Sequence, residues 1–265
     1  MLTNYHTHTV FSDGVHTPEE VVLNAIQKGF SVIGFSDHGN TPYDLRYCMT
    51  DTDGYRAEIY RLKKAYKENI EIYLGIEEDC FAPANRDLFD YVIGSCHYVY
   101  VNGKYYPFDS SYDYFKTVLA LFDSPLALAE RYYEDFFDYI EKRKPDVIGH
   151  FDLITKYEET QESLFLSDER YWNIAKNAVK RAVKCGCIFE VNTGTITRGY
   201  RTTPCPHPRL LETIKKENGK ILLSSDSHHK DTLNAHFDQT KTLLKELGFD
   251  GVYDLRNGKW QKEQF

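Results

Sequence analysis

Several histidines of this 265-residue chain stand where they could bind metal ions together with carboxylates. His6-Thr7-His8 ends the first predicted strand, and because alternate residues of a strand point to the same side, it directs two imidazoles to one place. Asp226-Ser227-His228 follows the last predicted strand and can direct a carboxylate and an imidazole in the same way. A lone pair of this kind is more often an ordinary surface or core feature, so metal binding has to be argued from the whole set.

Side chains of the same types follow the other predicted strands. His38 follows the second strand, Glu77 ends the third, His97 lies in the C-terminal part of the fourth, and His150 ends the fifth. Functional groups of parallel α/β folds gather at the C-terminal ends of the strands, so we expect these side chains to meet. One metal ion needs three or four protein ligands, so nine candidates are enough for two or three ions. The nine candidate ligands are His6, His8, Asp13, His38, Glu77, His97, His150, Asp226 and His228.

The ligand types limit the choice of metal. Imidazole and carboxylate without thiolate suit zinc, iron or manganese better than calcium, and none of the six cysteines is placed to ligate. A central carboxylate can bridge two cations, and we assign this role to Glu77, because Glu78 would point to the other side of the strand. Carboxylates buried together would be costly without cations. Of the other histidines, His229 is left undecided, and three are interpreted as structural or solvated: His16, His207 and His236.

Seven short strand patterns alternate with helix patterns, which predicts a parallel sheet, open or closed, in a single domain over residues 1–265. The sequence Thr17-Pro18-Glu19-Glu20 predicts a capped helix that ends near Lys28. Three further apolar stripes with helical spacing begin at Leu126, Tyr171 and Leu233. The predicted strands are Leu2–His8, Ser31–Asp37, Glu71–Glu77, Tyr91–Tyr98, Val147–Phe151, Ile188–Asn192 and Ile221–Ser225.

Two segments keep alternative interpretations. Residues 98–115 hold eight aromatic side chains and follow the fourth strand, so they could form a lid over the site or a loop anchored by its own aromatic rings. Residues 249–265 could form a last strand pair or a strap that closes the base of a barrel.

Composition excludes several classes of protein. Apolar residues make up 42% of the chain, enough for a sizeable core, and the formal net charge of -8 argues against a dedicated nucleic-acid binder. We expect no membrane span and no signal peptide, since the sequence has neither a long apolar run nor a basic leader. The scattered cysteines, without a CxxC, predict a cytoplasmic location. We find no motif of a serine hydrolase, a Rossmann oxidoreductase or a P-loop NTPase. The sequence does not report the oligomeric state.

The motifs resemble, in order and over essentially the whole chain, those of the PHP (polymerase and histidinol phosphatase) superfamily. Length and three further segments look most like its histidinol-phosphate phosphatase branch; these are Pro107-Phe108-Asp109, Glu190-Val191-Asn192-Thr193 and Arg198-Gly199. The motifs that carry the resemblance are His6-Thr7-His8, Phe11-Ser12-Asp13-Gly14, Ser36-Asp37-His38, Gly75-Ile76-Glu77, Gly94-Ser95-Cys96-His97, Ile148-Gly149-His150-Phe151-Asp152 and Ser225-Asp226-Ser227-His228.

This resemblance implies a distorted (β/α)7 barrel with its active site at the C-terminal ends of the strands and three metal ions. The first ion would be held by His6, His8, Glu77 and Asp226. The second would be held by Glu77, His97 and His150, and the third by Asp13, His38 and His228. Some relatives have histidine where this chain has Asp13, a change that could weaken the third site or shift its metal preference.

The implied activity is hydrolysis of L-histidinol phosphate, a step of histidine biosynthesis, by hydroxide that bridges two cations and attacks phosphorus. Glu77, Asp226 and His228 are the expected catalytic residues, and the proton donor to the leaving group stays open between Asp226 and a water. Arg198 is the best candidate for a phosphate contact, ahead of Lys156 and Arg201, although each could be a solvated surface charge. Two alternatives stay open: another small phosphomonoester or nucleotide as the substrate, and a non-catalytic module serving a nucleic-acid enzyme.

Overall fold

Seven parallel strands form the central sheet of this chain. The computed structural model describes residues 1–265. The strands are β1 Leu2–Asn4, β2 Phe30–Phe35, β3 Glu71–Asp79, β4 Tyr91–Ser95, β5 Tyr98–Val101, β6 Lys104–Pro107, β7 Val147–Ile148, β8 Ile188–Asn192, β9 Lys220–Ser224, β10 Gly251–Arg256 and β11 Lys259–Gln264. The seven strands of the sheet stand in the order β1-β2-β3-β4-β7-β8-β9. The helices are α1 Pro18–Gln27, α2 Thr52–Ala65, α3 Tyr112–Leu119, α4 Pro125–Arg143, α5 Glu169–Val183, α6 Gly194–Thr197, α7 Pro208–Lys216 and α8 Phe237–Glu246.

The sheet closes on itself where β1 meets β9, just past the ends of both strands. Thr7 and Ser227 form an isolated parallel bridge. Asn4 adds a reciprocal pair of hydrogen bonds, because its side-chain amide donates to Ser225 Oγ at 2.8 Å and its side-chain oxygen accepts from Ser225 N at 3.1 Å. The expected distorted (β/α)7 barrel is therefore confirmed, with an irregular seam between its first and last strands.

The barrel interior is filled at its base by aliphatic and aromatic side chains, and the C-terminal hairpin covers them. Tyr5 accepts a hydrogen bond from Leu255 N at 2.9 Å and donates to Leu255 O at 3.2 Å, and the Trp260 ring packs edge-on against Tyr5 at 5.4 Å. Burying these side chains removes apolar surface from water. The two interpretations of residues 249–265 describe one feature: β10 and β11 form a strand pair, and this pair closes the base.

Helices cover the outside of the sheet. The predicted capping box at the start of α1 is confirmed, since Thr17 accepts from Glu20 N and the Glu20 carboxylate accepts from Thr17 N. Phe136 and Ile140 of α4 are fully buried against the barrel, which is the packing that their spacing predicts. No helix combines the length and the apolar character needed to cross a lipid bilayer.

Four predicted element bounds were wrong by three residues or more, and one of them is the end of the fifth barrel strand, which stops at Ile148 and not at Phe151. β1 ends at Asn4, so the His6-Thr7-His8 segment lies beyond the strand, where the bridge from Thr7 to Ser227 and hydrogen bonds between Thr7 and Ser36 hold it. The predicted strand over residues 91–98 is interrupted after Ser95, because Tyr98 begins an antiparallel hairpin with β6. The last helix begins at Phe237, and Leu233 precedes it.

Candidate metal centre

A cavity of about 450 Å³ opens at the C-terminal ends of the barrel strands, and the nine predicted ligands meet there. Seven of them line the cavity, while His6 and His8 lie beneath it, 0% and 1% exposed. Their positions follow from the fold, because each residue stands near the end of a barrel strand or in the loop that follows one. The structure thus brings together side chains from distant parts of the chain.

Glu77 occupies the centre of the group and is 1% exposed. Its Oε2 lies 3.2 Å from His6 Nε2 and 2.8 Å from His38 Nδ1. Its Oε1 lies 3.0 Å from His150 Nε2 and 3.5 Å from His97 Nε2. The two oxygens therefore face different sets of imidazoles, which is the geometry that a bridging carboxylate requires. Glu78 points the other way, and its carboxylate accepts hydrogen bonds from Arg143.

A second group of side chains lies toward the solvent. His228 Nε2 is 3.3 Å from Asp13 Oδ2, and Asp13 Oδ1 is 3.7 Å from His8 Nδ1 and 3.8 Å from His38 Nε2. About a third of the Asp13 and His228 side chains is exposed. This outer group shares His8 and His38 with the inner one, so the structure separates the expected ligand sets less sharply than the resemblance implies.

The donor atoms of the inner group fit divalent cations. Buried polar atoms of proteins nearly always have hydrogen-bond partners. His6 Nε2, both ring nitrogens of His8, and Glu77 Oε2 are buried, and although other ligand atoms lie as close as 2.8 Å to them, none of these contacts has the geometry of a hydrogen bond. Four groups of these side chains place their ligand atoms within 4.8 Å of one another, and each group contains at least two imidazoles. Unpaired imidazole and carboxylate atoms at such separations are the donor set of a zinc, iron or manganese site.

The pKa values of the centre reflect its crowding. Burial would lower the pKa of His6, but the carboxylates of Glu190 and Glu77 outweigh burial and raise it well above the ordinary value. The same competition raises the pKa of His97 to about 9. Burial and the nearby imidazoles of His228 and His38 lower the pKa of His8 to about 3. The metal-free centre thus holds protons on some imidazoles and excludes them from another.

Three buried carboxylates hold the predicted ligands or their loops in place by hydrogen bonds, and the sequence motifs did not predict this role. Glu190 of β8 lies 2.5 Å from His6 Nδ1 and accepts from His150 N at 2.7 Å. Asp79 accepts from His97 N at 3.0 Å and lies 3.3 Å from His97 Nδ1. Asp37 accepts from Thr9 N and Ser12 Oγ, each at 2.7 Å, and so fixes the loop that presents Asp13. Carboxylates in such positions orient metal-binding imidazoles.

Unusual backbone conformations help to position two of the predicted ligand residues, His8 and Asp226. A Cβ on Gly14 would lie 2.4 Å from the backbone of His8, so only glycine allows the loop to pass this close. Asp226 has a φ of 48°, a left-handed conformation that aspartate tolerates better than most residues. Such a conformation at a buried carboxylate is typical of a functional position.

The three candidate phosphate contacts have different surroundings. Arg198 lines the cavity, donating from Nη2 to Asp226 Oδ2 at 2.8 Å. Lys156 also lines the cavity, with Nζ 2.6 Å from the backbone oxygen of Asp109. Arg201 does not reach the cavity, because its guanidinium is buried against Asp152 and Pro204 O, and we do not carry it into the proposed site.

The remaining histidines stand apart from the nine. The rings of His16 and His229 pack edge-on at 4.3 Å near the protein surface. His207 caps α7 by accepting from Arg209 N, and His236 lies at the start of α8 in a left-handed conformation. These surroundings agree with the structural interpretation of His16, His207 and His236, and they place His229 with His16.

The aromatic segment borders the site and is anchored by stacked rings. Tyr98 and Pro107 of the β5–β6 hairpin line the cavity. Tyr105 of the hairpin stacks on Tyr43 at 3.9 Å, and Tyr47 of the same loop as Tyr43 packs edge-on against His38 at 4.7 Å. The hairpin and the 41–50 loop therefore form one wall of the cavity.

Comparisons with known proteins agree with this geometry. A family model described as PHP domain matches residues 4–194. The chain is 29% identical over 262 residues to a Schizosaccharomyces pombe protein named "Probable histidinol-phosphatase", covering 91% of this chain and 84% of that one. It is 26% identical over 275 residues to the histidinol-phosphatase of Lactococcus lactis, covering 98% and 97%. A Lactococcus lactis histidinol phosphate phosphatase structure, complexed with zinc, L-histidinol and phosphate, shares the fold with a TM-score of 0.69 at 19% identity over 98% of each chain.

Proposed function

The chain belongs to the PHP domain family, and from this premise we propose that it is a metal-dependent phosphatase that hydrolyses L-histidinol phosphate to L-histidinol and phosphate. The names of its two relatives and the molecules bound in the Lactococcus lactis structure support this substrate. The observation that carries the proposal is Glu77, whose two oxygens face separate sets of imidazoles. We take residues 1–265 as one phosphatase domain, and its six free cysteines support a cytoplasmic location.

The charged side chains that line the cavity explain why a phosphatase with this site needs bound metal cations. Three fixed cations line the cavity, Arg46, Lys156 and Arg198, against five carboxylates. With its histidines neutral, as metal binding requires, this surface would repel a phosphate dianion unless bound cations add positive charge. Two or three divalent cations, bound among the nine ligands, would supply positive charge to the phosphate oxygens and hydroxide near neutral pH. The five carboxylates are those of Asp13, Asp44, Glu77, Asp109 and Asp226.

We assign the ligands in three sets, of which the two inner ones overlap. Glu77 is shared by the two inner sets, since each of its oxygens faces one of them. The first set is His6, His8, Glu77 and Asp226, the second is Glu77, His97 and His150, and the third is Asp13, His38 and His228. His8 and His38 stand between the inner and outer sets, because each lies close to ligand atoms of both.

Arg198 is proposed to orient the phosphate. Its guanidinium is fixed by hydrogen bonds to the carboxylate and the backbone oxygen of Asp226, and the residue lines the cavity. A planar guanidinium offers paired donors that match phosphate oxygens. Because this position is held by the protein before the substrate binds, little side-chain entropy is lost on binding.

Asp226 and His228 are assigned separate roles in the reaction. Burial would raise the pKa of Asp226, but Arg198 and His6 lower it well below the usual range, so Asp226 is ionised at neutral pH. Asp226 is therefore suited to hold Arg198 and a cation as a permanently ionised carboxylate. His228, about a third exposed, is the imidazole of the group with the best access to solvent and can pass protons to it.

The proposal is tested by phosphate release from purified, metal-loaded protein. The panel contains L-histidinol phosphate, other small phosphomonoesters and nucleotides at equal concentrations. We expect kcat/KM to be highest for L-histidinol phosphate. Faster release from a nucleotide would reject this substrate, and absence of release from every member would reject the phosphatase activity.

A further inference from the structure

Asp109 is a cavity carboxylate that none of the roles above uses. It is the second residue past the end of β6, and the residue between them, Phe108, donates from its N to His97 O at 3.2 Å and ties the segment to a proposed ligand. Its backbone oxygen accepts from Lys156 Nζ at 2.6 Å and from Tyr157 Oη at 2.7 Å. The main chain of Phe108 and Asp109 is thus fixed by three hydrogen bonds beside the site.

The carboxylate of Asp109 is far less satisfied than its main chain. No protein hydrogen bond reaches either of its oxygens, and its one ion pair, to Lys156 Nζ, spans 3.6 Å. Burial would raise the pKa of Asp109, but Lys156, His97 and His150 outweigh burial and lower it, so the group is ionised at neutral pH. A fixed, ionised carboxylate with free acceptor positions on a cavity wall is suited to receive a cation with N–H donors.

The surroundings of Asp109 favour a ligand cation over a resident metal ion. Asp109 is absent from all four groups of side chains whose ligand atoms lie close enough to share an ion. The other carboxylate of the wall, Asp44, is already engaged, since it accepts from Arg46 Nε at 2.7 Å and from Tyr98 Oη at 3.0 Å. Asp109 is therefore the one carboxylate lining the cavity that is neither hydrogen-bonded nor grouped with metal-type ligands.

We propose that Asp109 determines specificity by binding the ammonium group of an aminoalkyl phosphate. This inference rests on the proposed function, since L-histidinol phosphate carries such an ammonium group. Arg198 and Asp109 carry opposite charges and line the same cavity. A substrate with an anionic phosphate and a cationic ammonium group can therefore pair with both side chains. A phosphomonoester without the amine leaves Asp109 paired only with Lys156, and selectivity follows from that difference.

The test compares two substrates that differ only in the amine: L-histidinol phosphate and its deamino analogue, the phosphate ester of imidazolylpropanol. We expect Asp109→Asn to lower kcat/KM for L-histidinol phosphate by about ten- to a hundredfold, the worth of a charged hydrogen bond, mainly through KM. The deamino ester should change by less than about threefold on the same scale. Asp109→Glu, which keeps the charge, should retain most of the selectivity for the amine.

Two further measurements keep the test decisive. Calorimetric binding of L-histidinol should weaken in Asp109→Asn, and zinc content should stay equal to that of the wild type. An Asp109→Asn protein that loses zinc, or whose kcat/KM falls equally for both esters, would overturn the ammonium role and indicate a structural one. Wild-type protein that hydrolyses both esters equally well would overturn this inference alone, whereas wild-type protein that hydrolyses neither would overturn the proposed function and the inference with it.

Discussion

Replacing Glu77 by glutamine keeps the shape of the side chain and removes the charge from the centre of the proposed metal site. Glu77 is 1% exposed, and its carboxylate faces imidazoles on both sides at 2.8 to 3.5 Å. Removing one partner of a buried charge pair costs about 2–5 kcal/mol. At tenfold per 1.4 kcal/mol, zinc binding should weaken by about 30-fold to several thousandfold at each of the two sites that share this residue.

The neighbouring glutamate provides a matched control. Glu78 is also buried, but it faces the opposite side of β3, where it accepts from Arg143 at 2.6 and 2.9 Å and from Tyr139 Oη at 2.6 Å. Glu78→Gln should lower the free energy of unfolding by about 1–3 kcal/mol, because it disrupts charged hydrogen bonds. It should leave zinc content and KM unchanged.

The two variants are compared by elemental analysis of the purified proteins, by chemical denaturation and by phosphate release at fixed free zinc. Glu77→Gln should lose zinc and most turnover, while Glu78→Gln should lose stability only. Full zinc content and normal turnover in Glu77→Gln would refute the bridging role. Equal zinc loss in both variants would show that the effect comes from general disruption of β3.

Three further outcomes follow from the site geometry. Arg198→Ala should raise KM by about ten- to a hundredfold with a smaller change in kcat, since a fixed phosphate contact is removed; an unchanged KM would exclude the contact. Glu190→Gln should weaken zinc binding by about 10- to 100-fold in a chelator competition titration, because Glu190 orients His6 and holds His150 N; equal affinity would contradict that role. Zinc binding at pH 7 should release protons, because the raised pKa values of His6 and His97 keep both rings protonated in the metal-free protein. Zinc affinity should therefore rise with pH toward about 9. Calorimetry in two buffers of different ionisation enthalpy measures the proton release, and a binding reaction that releases no protons would contradict the assignment.

The fold and the meeting of the nine side chains could be predicted because both depend on simple periodicities. Alternation of strand and helix patterns indicates a parallel sheet, and parallel strands carry their C-terminal residues to one face. Glu77 and Glu78 could be told apart for the same reason, since neighbours on a strand face opposite sides. The bounds were less predictable, because nothing local shows that β1 stops at Asn4 and that pairing with Ser227 keeps His6 and His8 extended.

The parts that sequence reasoning missed depend on contacts between distant segments. Glu190 and His6 are 184 positions apart, and no pattern in β8 indicates that its carboxylate meets an imidazole from the N-terminus. Arg201 shares a loop with Arg198, yet the fold turns one guanidinium toward Asp152 in the interior and the other toward the cavity. The free carboxylate of Asp109 is visible only once Lys156 and Tyr157 are seen to bind its backbone oxygen.

Anomalous diffraction at the zinc absorption edge, from crystals of the zinc-loaded protein, tests the central claim most directly. We predict two or three peaks in the cavity, with two of them at about 2.0–2.2 Å from different oxygens of Glu77. A cavity without peaks in such crystals, or peaks bound only to surface histidines such as His229, would contradict the account.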